Sequence, residues 1–194
     1  MKNIKSIITL LVLLSTISFA QTNWKFDVSH TNVKFSVSHL VITDVEGSFK
    51  IFDGSVESVT DDDFTDAKIN FSIDVNSINT ENEKRDEHLR AADFFNTAEF
   101  PKITFVSKSM KKISENKYKL VGDFTMKGVT NEIELDVKYN GSAVAWGTTK
   151  AGFKLSGELD RFDYDLKWNK LLETGGAVVG RTIEINANVE LDKK

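Results

Sequence analysis

The four residues RDEH, positions 85–88, carry the side chains best suited to acid–base chemistry in this sequence. Asp86 or Glu87 could act there as a general base. The alternative is a solvated helix face, on which Glu83, Glu87 and Arg90, and likewise Asp86 and Arg90, are ordinary i, i+3 or i, i+4 neighbours. The second interpretation is favoured, so these residues by themselves predict no reaction.

Other catalytic chemistries have weaker support in the residue types. The chain contains no cysteine, which excludes a cysteine nucleophile and any thiolate metal site. It has neither a G-x-S-x-G motif nor a phosphate-binding glycine loop, although a serine nucleophile stays open because a triad is assembled in space. The three histidines, His30, His39 and His88, share no i, i+4 spacing, so no metal site is predicted.

The charged residues lie in a short segment that must differ from its surroundings. His88, Ala91, Ala92 and Phe95 share one helical face, with Leu89 beside it, while the charged side chains lie toward the other face. The spacing predicts an amphipathic helix over about 81–93. A second irregular stretch, 161–180, carries Trp168 and ends in glycines, which is typical of either a long loop or a second short helix.

Strict alternation of apolar and polar residues dominates the rest of the chain and predicts antiparallel strands with one dry and one wet face. It is clearest in AKINFSIDV, VTNEIELDVKY and IEINANVEL, and turn signals are present at 52–55, 126–131 and 139–142. Eight or nine strands in one domain are expected, at about 24–28, 33–42, 45–52, 67–75, 102–109, 117–126, 129–139, 148–159 and 183–191. The pattern is compatible with a sandwich or a closed barrel, and an eight-stranded barrel either fills its interior or keeps a cavity.

Several residues interrupt the apolar rows. Gly47, Gly122 and Gly157 either let the strands kink so that a sheet can close or leave room for a ligand among the rings. His39 continues the row of Val33, Phe35, Val37 and Val41, where it is either a core residue or a polar group that orients an apolar ligand. Of the 14 phenylalanines, 13 lie after residue 20, mostly in these rows and in the irregular segments.

Residues 1–20 have the basic start, short apolar run and small-residue end of a secretory signal peptide, with Gln21 as the expected first mature residue. Residues 21–194 are then predicted to form one domain. Without Lys2 and Lys5, 23 basic residues face 29 acidic ones, a formal charge of −6. Such a chain has no general electrostatic attraction for nucleic acid or for an anionic membrane surface, and nucleic acid is not expected as a partner.

Several blocks of the sequence, in the same order, resemble the YceI-like family of exported bacterial lipid- or polyisoprenoid-binding proteins. They include VSHTNVKFSVSHLVITDVEGSF, RDEHLRAADFF, FPKITF, VGDFTMKGVTNEIELDV and WNKLLETGGAVVG, and the resemblance covers about 24–191. It implies an all-β fold, a single antiparallel, lipocalin-like β-barrel of about eight strands with one or two short helices at the mouth. It also implies a periplasmic, non-enzymatic carrier of a long amphiphilic isoprenoid such as a quinone or prenyl phosphate, or of a fatty-acid derivative, and a chain able to form a homodimer.

On this resemblance the site is expected in the barrel interior. The residues expected to line it are Phe35, Val37, His39, Phe49, Phe71, Leu89, Phe94, Phe95, Phe105, Phe124, Met126, Phe153 and Trp168. Three residues are expected to meet a polar or anionic head group, namely Arg85, His88 and Arg161. Family members often read Arg-Ser-Asp-Phe-Gly where this chain has Arg-Phe-Asp-Tyr-Asp at 161–165, so its head-group preference stays open.

Two other functions remain compatible with the sequence. One is a lipid-modifying enzyme on the same fold that acts through Asp86, His88 or Arg161. The other is a structural barrel without a ligand, filled by its own phenylalanine rings. Apart from a bound lipid, no cofactor and no metal is expected.

Overall fold

A computed structural model of the chain describes residues 21–171, 173 and 176–194. The predicted signal peptide, 1–20, lies outside the described residues. The strands are β1 Thr22–Phe26, β2 Asn32–His39, β3 Thr43–Phe49, β4 Phe52–Ser58, β5 Lys68–Asp74, β6 Ile78–Asn79, β7 Lys102–Ser114, β8 Lys117–Met126, β9 Val129–Ala145, β10 Thr148–Asp160 and β11 Val179–Lys193. One α-helix, α1 Glu83–Arg90, and 3-10 helices at Val75–Ser77 and Arg161–Tyr164 complete the described elements.

The strands form a closed antiparallel barrel of eight members, as predicted. Strands β1 and β2 both pair with β11, at Phe26↔Leu191 and Val33↔Ala187, so the two act as one bent strand. In the same way β3 pairs with β2 and β4 pairs with β1. On the next position of the ring, β5 pairs with β4 and β6 pairs with β3. Strands β7 to β11 follow in chain order, and β11 closes the ring.

The predicted alternation is confirmed along the regular strands. In β9, for example, Leu135 and Val137 are buried while Glu134 and Asp136 are exposed. The inward side chains form two apolar clusters, one near the end where β1 meets β11 and the other beneath α1. Because every strand places alternate residues on opposite faces, closing the ring brings all the apolar rows to one interior.

Two predicted turns are wrong. Residues 52–55, read as a turn, begin strand β4, which pairs with β1 and β5. Residues 139–142 lie inside β9, where the register against β10 shifts at Gly152/Phe153. Gly141 lies at a bulge in a continuing strand. At Gly54 an added Cβ would lie 2.5 Å from the Asn70 carbonyl oxygen, so glycine there allows a close approach of the paired backbone.

The helix and the first hairpin are also shorter than predicted. Helix α1 ends at Arg90, so Ala91 and Ala92 are exposed and do not belong to its apolar face. Strand β2 ends at His39, and Val41 lies in the following turn with 72% of its surface exposed. In its described residues, 161–171, 173 and 176–180, the second irregular stretch begins with a 3-10 helix and continues mainly as a loop until β11 begins at Val179. Among the described residues, no helix has both the length and the apolar character that spanning a membrane demands.

Candidate ligand-binding site

An apolar cavity of about 260 Å³ lies inside the barrel beneath α1. The inward rows of β2 and β11 form much of its wall, with residues of the segment after α1 and of the 161–168 segment across the end. Apolar side chains of this wall that were not among the predicted lining residues are Val33, Val45, Ile73, Ile103, Leu159, Leu166, Val178, Val179, Ile183 and Ile185. An engineered apolar cavity of roughly 150 Å³ already binds benzene, so this space suits an apolar ligand.

A second cavity of about 130 Å³ adjoins the first, on the side where β1 meets β11. Val33, Ile73, Phe124 and Ile185 line both cavities and lie between them. The second cavity has a wholly apolar wall that includes Phe26, Leu135 and Leu155. Apolar side chains therefore line the barrel interior from the first cavity to the second.

All thirteen residues predicted to line the site border one of the two cavities. Those at the first cavity are Phe35, Val37, His39, Phe49, Leu89, Phe94, Phe95, Met126 and Trp168, those at the second are Phe71, Phe105 and Phe153, and Phe124 borders both. Their contact with a ligand stays a prediction. Ile73, Ile183 and Ile185 were missed although they belong to rows already identified as inward, because the prediction weighted rings over aliphatic side chains.

Helix α1 is held over the first cavity by polar bonds at its N-terminal end. The Asn82 side chain accepts a hydrogen bond from the Arg85 N–H at 3.1 Å and caps the helix. Asp86 is buried, and its Oδ1 accepts the Thr80 N–H at 2.9 Å and the Thr80 hydroxyl at 2.6 Å. Asp86 is therefore a structural residue rather than part of a solvated face, whereas Glu83 and Glu87 are exposed as that interpretation expected.

The C-terminal end of α1 meets the 161–168 segment through aromatic contacts. The His88 ring lies edge-on to Phe94 and to Trp168, with centroid distances of 5.2 Å in both pairs. The rings of Phe94 and Trp168 are 5.4 Å apart. The three side chains all border the first cavity, so this cluster forms part of the cover over it.

The titratable side chains that line the first cavity are all basic. Arg85 is half-buried. Its Nε donates to the Thr80 hydroxyl at 2.7 Å and one Nη donates to the Thr80 carbonyl at 2.6 Å, which leaves the other N–H groups of the guanidinium for a ligand. His88 pairs through Nε2 with Asp93 at 2.8 Å, which lowers the pKa of that carboxyl group. The described lining residues include basic side chains but no carboxylate, so the cavity favours an electron-rich or anionic head group.

The structure gives Arg161 a different role from the predicted one. Its side chain is 1% exposed, and its guanidinium donates to the carbonyl groups of Leu166, Trp168, Val179 and Gly180. Burial lowers the pKa of this guanidinium. Because most of its donors are used by the backbone, Arg161 ties the loop to β11 rather than reaching for a head group.

The inward glycines do not provide space for a ligand, contrary to one of the two interpretations. A Cβ added at Gly47 would lie 2.3 Å from Phe35 Cζ, and one at Gly122 would lie 2.4 Å from Phe105 Cζ. At Gly157 it would lie 2.4 Å from a Leu135 methyl group. Neighbouring side chains already cover these glycines, as expected where strands bend around a packed interior.

A cluster of titratable groups lies outside the cavities, at the break between β1 and β2. Asp27, His30 and Glu190 each offer an atom within 4.8 Å of the others. The Lys150 ammonium group lies 3.0 Å from Asp27 and 2.8 Å from Glu190. A cation of the chain itself thus contacts two of these carboxylates, and the cluster joins β1, β10 and β11.

Comparison with known proteins gives one family and several relatives. A family model described as a YceI-like domain matches residues 24–191. UPF0312 protein SAS2572 of Staphylococcus aureus strain MSSA476 is 43% identical over 171 residues, which is 87% of this chain and 96% of that protein. UPF0312 protein MW2606 of strain MW2 has the same identity and coverage.

Solved structures share the barrel. The Campylobacter jejuni YCEI protein superposes with a TM-score of 0.69 at 28% identity, covering 98% of this chain and 99% of that one. Burkholderia cenocepacia BcnA has a TM-score of 0.74 at 19% identity, over 85% and 98% of the two chains. A polyisoprenoid binding domain from Saccharophagus degradans has a TM-score of 0.66 at 16% identity, over 88% and 98%. The last two, at such low identity, support the fold alone.

Proposed function

The chain belongs to the family of YceI-like domains, and on that premise we propose that it binds a long amphiphilic isoprenoid or similar lipid inside its barrel. The observation that carries the proposal is the pair of adjoining apolar cavities inside the barrel. A polyisoprenoid binding domain has the same fold, and we propose the same ligand class for this chain. The tail would lie along the axis, past Phe124, and the head group would lie near Arg85, His39 and His88.

Burial of the tail supplies the driving force. Each buried CH₂ group contributes roughly 0.8 kcal/mol, so a tail of several isoprene units has ample gross free energy of transfer. The net gain is smaller, because a drug-sized ligand retains only about 0.3 kcal/mol per non-hydrogen atom. An apolar wall discriminates poorly between chain lengths, so selectivity depends on the head group and on Arg85 in particular.

We propose further that the protein carries its ligand without transforming it. Two of the three residues considered for an enzymatic role are engaged in structural contacts: Asp86 with Thr80, and Arg161 with backbone carbonyl groups. His88 is the remaining candidate, and its imidazole is paired with Asp93 and packed between rings. We expect His88→Ala to leave a bound lipid chemically unchanged, and a turnover that disappears in this variant would establish the enzyme instead.

Organic extraction of the purified protein, followed by mass spectrometry of the extract, tests the ligand. Val37→Trp places a large side chain at the wall of the first cavity, while Ser36→Trp changes the neighbouring residue, which does not border it. We expect a co-purifying isoprenoid or related lipid from the native protein and from Ser36→Trp, and much less from Val37→Trp. A protein that carries no lipid and takes up none when it is added would be a filled structural barrel.

The periplasmic location is also proposed, on the basis of the signal-peptide pattern at 1–20. Strand β1 begins at Thr22, so cleavage before Gln21 would leave all the described strands intact. N-terminal sequencing of the protein recovered from the cell envelope should begin at Gln21. An intact Met1 on the folded protein would contradict cleavage.

A further inference from the structure

The turn between β2 and β3 has an unfavourable sequence for its backbone. Leu40 and Val41 have φ values of 56° and 64°, and the Ile42 N–H bonds to the His39 carbonyl group at 3.2 Å. Two other hairpins also have successive residues at positive φ, Lys127–Gly128 and Trp146–Gly147, and both place glycine second. Asn-Gly is the preferred pair for such turns, and a β-branched residue at positive φ is a conformational outlier.

Side-chain packing does not offset the backbone strain of this turn. Val41 is 72% exposed and Ile42 is 81% exposed, so neither side chain gains much from contacts within the chain. Strained residues persist where their position serves a function. The apolar character of this turn therefore calls for a contact with something outside the chain.

A third exposed apolar residue, Leu171, lies next to this turn. The Leu40 N–H bonds to the Val178 carbonyl group at 2.9 Å, and the Val178 N–H bonds to the Lys170 carbonyl group at 2.8 Å. Leu171 pairs with Ala177 and is 82% exposed. The three side chains of Val41, Ile42 and Leu171, here named the apolar rim, thus follow adjacent backbone segments.

The apolar rim lies at the mouth of the first cavity. His39, directly before the turn, borders that cavity, as do Val178 and Val179. The opposite end of the barrel carries the turn of Trp146 and Gly147, since β10 begins there and ends beside the first cavity. Exposed apolar side chains at a cavity mouth mark a surface that another apolar body covers.

We propose that the apolar rim docks the protein on the surface of a lipid bilayer, so that the cavity mouth faces the lipid. This inference rests on the proposed function. An isoprenoid ligand is dissolved in a bilayer, and it would pass through little water on its way to the cavity if the cavity mouth lay against that bilayer. Lys170 is next to Leu171, but Asp44 and Glu173 are exposed nearby. The mixed charge predicts insertion of apolar side chains with little dependence on anionic lipid.

Sedimentation with sucrose-loaded vesicles tests the docking. The vesicles are made of phosphatidylcholine alone or of phosphatidylcholine mixed with phosphatidylglycerol. The double variant Val41→Gly and Ile42→Thr removes two apolar side chains and relieves the strain, so its melting temperature should be equal to or above that of the native protein. We expect its vesicle affinity to fall by roughly tenfold or more, and the native affinity to differ little between the two lipid mixtures.

The matched control changes the exposed apolar residues at the other end of the barrel, Val144→Thr with Trp146→Ser, which are 80% and 88% exposed. It should sediment like the native protein. The docking proposal is overturned if the native protein stays in the supernatant, if the rim variant sediments equally well, or if the control loses as much affinity. A rim variant that only converts a dimer to a monomer would identify the rim as a contact between two copies.

Lipid content measured without vesicles separates the two proposals. We expect the rim variant to retain as much extractable lipid as the native protein, because Val41 and Ile42 do not border either cavity. A protein that holds lipid but does not bind vesicles refutes the docking surface alone. A protein that binds vesicles but never holds lipid refutes the proposed function alone.

Discussion

The imidazole of His88 and the indole of Trp168 meet edge to face, with ring centroids 5.2 Å apart and planes at 83°. His88 belongs to α1, while Trp168 belongs to the loop that Arg161 ties to β11. The contact therefore joins two elements that are distant in sequence across one end of the barrel. A ligand that enters or leaves at this end must separate them or pass beside them.

Replacing Trp168 by leucine should speed the release of a bound isoprenoid. The change removes ring contacts to His88 and Phe94, and aromatic pairs contribute about 0.5–1.5 kcal/mol each beyond burial. We expect dissociation of a fluorescent isoprenoid analogue to become a few-fold to about tenfold faster in stopped-flow displacement. Hydrogen exchange across 83–95 should rise in the same variant.

Trp146→Leu is the matched control for this experiment, because Trp146 is 88% exposed at the opposite end of the barrel. Its release rate should equal that of the native protein. Equal release from Trp168→Leu, or hydrogen exchange across 83–95 that bound lipid does not slow, would show that this aromatic cluster does not cover the ligand.

Replacing Arg161 by methionine should destabilise the fold more than it weakens binding. The change leaves the carbonyl groups of Leu166, Trp168, Val179 and Gly180 without their donor, and each buried unsatisfied group costs about 1–3 kcal/mol. We expect the free energy of unfolding in urea to fall by about 3 kcal/mol or more. Lysine at this position should not restore it, because an ammonium group cannot match the planar fork.

Arg181→Met serves as the comparison for Arg161. The Arg181 side chain is 59% exposed and pairs with Asp160, so its loss should cost no more than about 1 kcal/mol. Similar unfolding midpoints for the two variants would refute the structural role of Arg161.

Stability should depend on pH through His30 and Asp27. The Asp27 hydrogen bond raises the pKa of His30 above 6.5, so its contribution is fully present below pH 6.5 and is lost as pH rises through the raised value. Hydrogen bonds with His30 and Lys150 lower the pKa of Asp27 below 3.8. The contribution of Asp27 to stability is therefore present above pH 3.8 and is lost as pH falls through the lowered value. The charged groups around them are Lys150, Glu190 and Asp192.

Melting temperatures across neutral pH measure this dependence. We expect the native protein to lose stability as pH rises from 6.5 through the raised pKa of His30, and His30→Asn to lose less over the same interval. Asp27→Asn should flatten the profile in the same way, since it removes the partner that raises the pKa. An unchanged slope in both variants would assign the pH dependence to other groups.

Adding a methyl group at Gly47 should reduce the space for a ligand. The new Cβ would lie 2.3 Å from Phe35 Cζ and 2.9 Å from a Thr80 methyl group, so the Phe35 ring must move toward the first cavity. Overpacking of this kind costs about 1–3 kcal/mol of stability. Gly47→Ala should therefore melt earlier and bind an isoprenoid analogue more weakly by isothermal titration.

Gly152→Ala is the control, because its nearest neighbour is an Asn140 Cβ atom at 3.7 Å, an ordinary contact distance. We expect unchanged affinity in this variant. Native affinity in Gly47→Ala would indicate that the Phe35 ring lies outside the path of the ligand.

The inward and outward faces could be predicted from the sequence alone. Alternation is a local property of each strand, so Phe71, Leu135 and Ile185 were assigned to the interior from their neighbours two residues away. The same pattern identified the rings that border the cavities. The quoted blocks of the sequence added barrel closure through the family resemblance.

Which groups a given side chain contacts was decided by the tertiary structure. Arg161 was expected at a head group, but its donors are used by carbonyl groups that the chain brings to it from 166–180. The spaces over Gly47 and Gly122 are occupied by rings from the paired strands. Residues 52–55 have the composition of a turn, yet they form a strand because β1 and β5 lie on either side.

The physical difference between the two cases is the range of the interaction. Which face a residue lies on is determined by the backbone geometry of its own strand, and the sequence records that geometry directly. Which atom an arginine or a glycine meets depends on strands tens of residues away and on how the closed ring aligns them. The cavity between the apolar rows depends on the same alignment, so only the folded chain defines it.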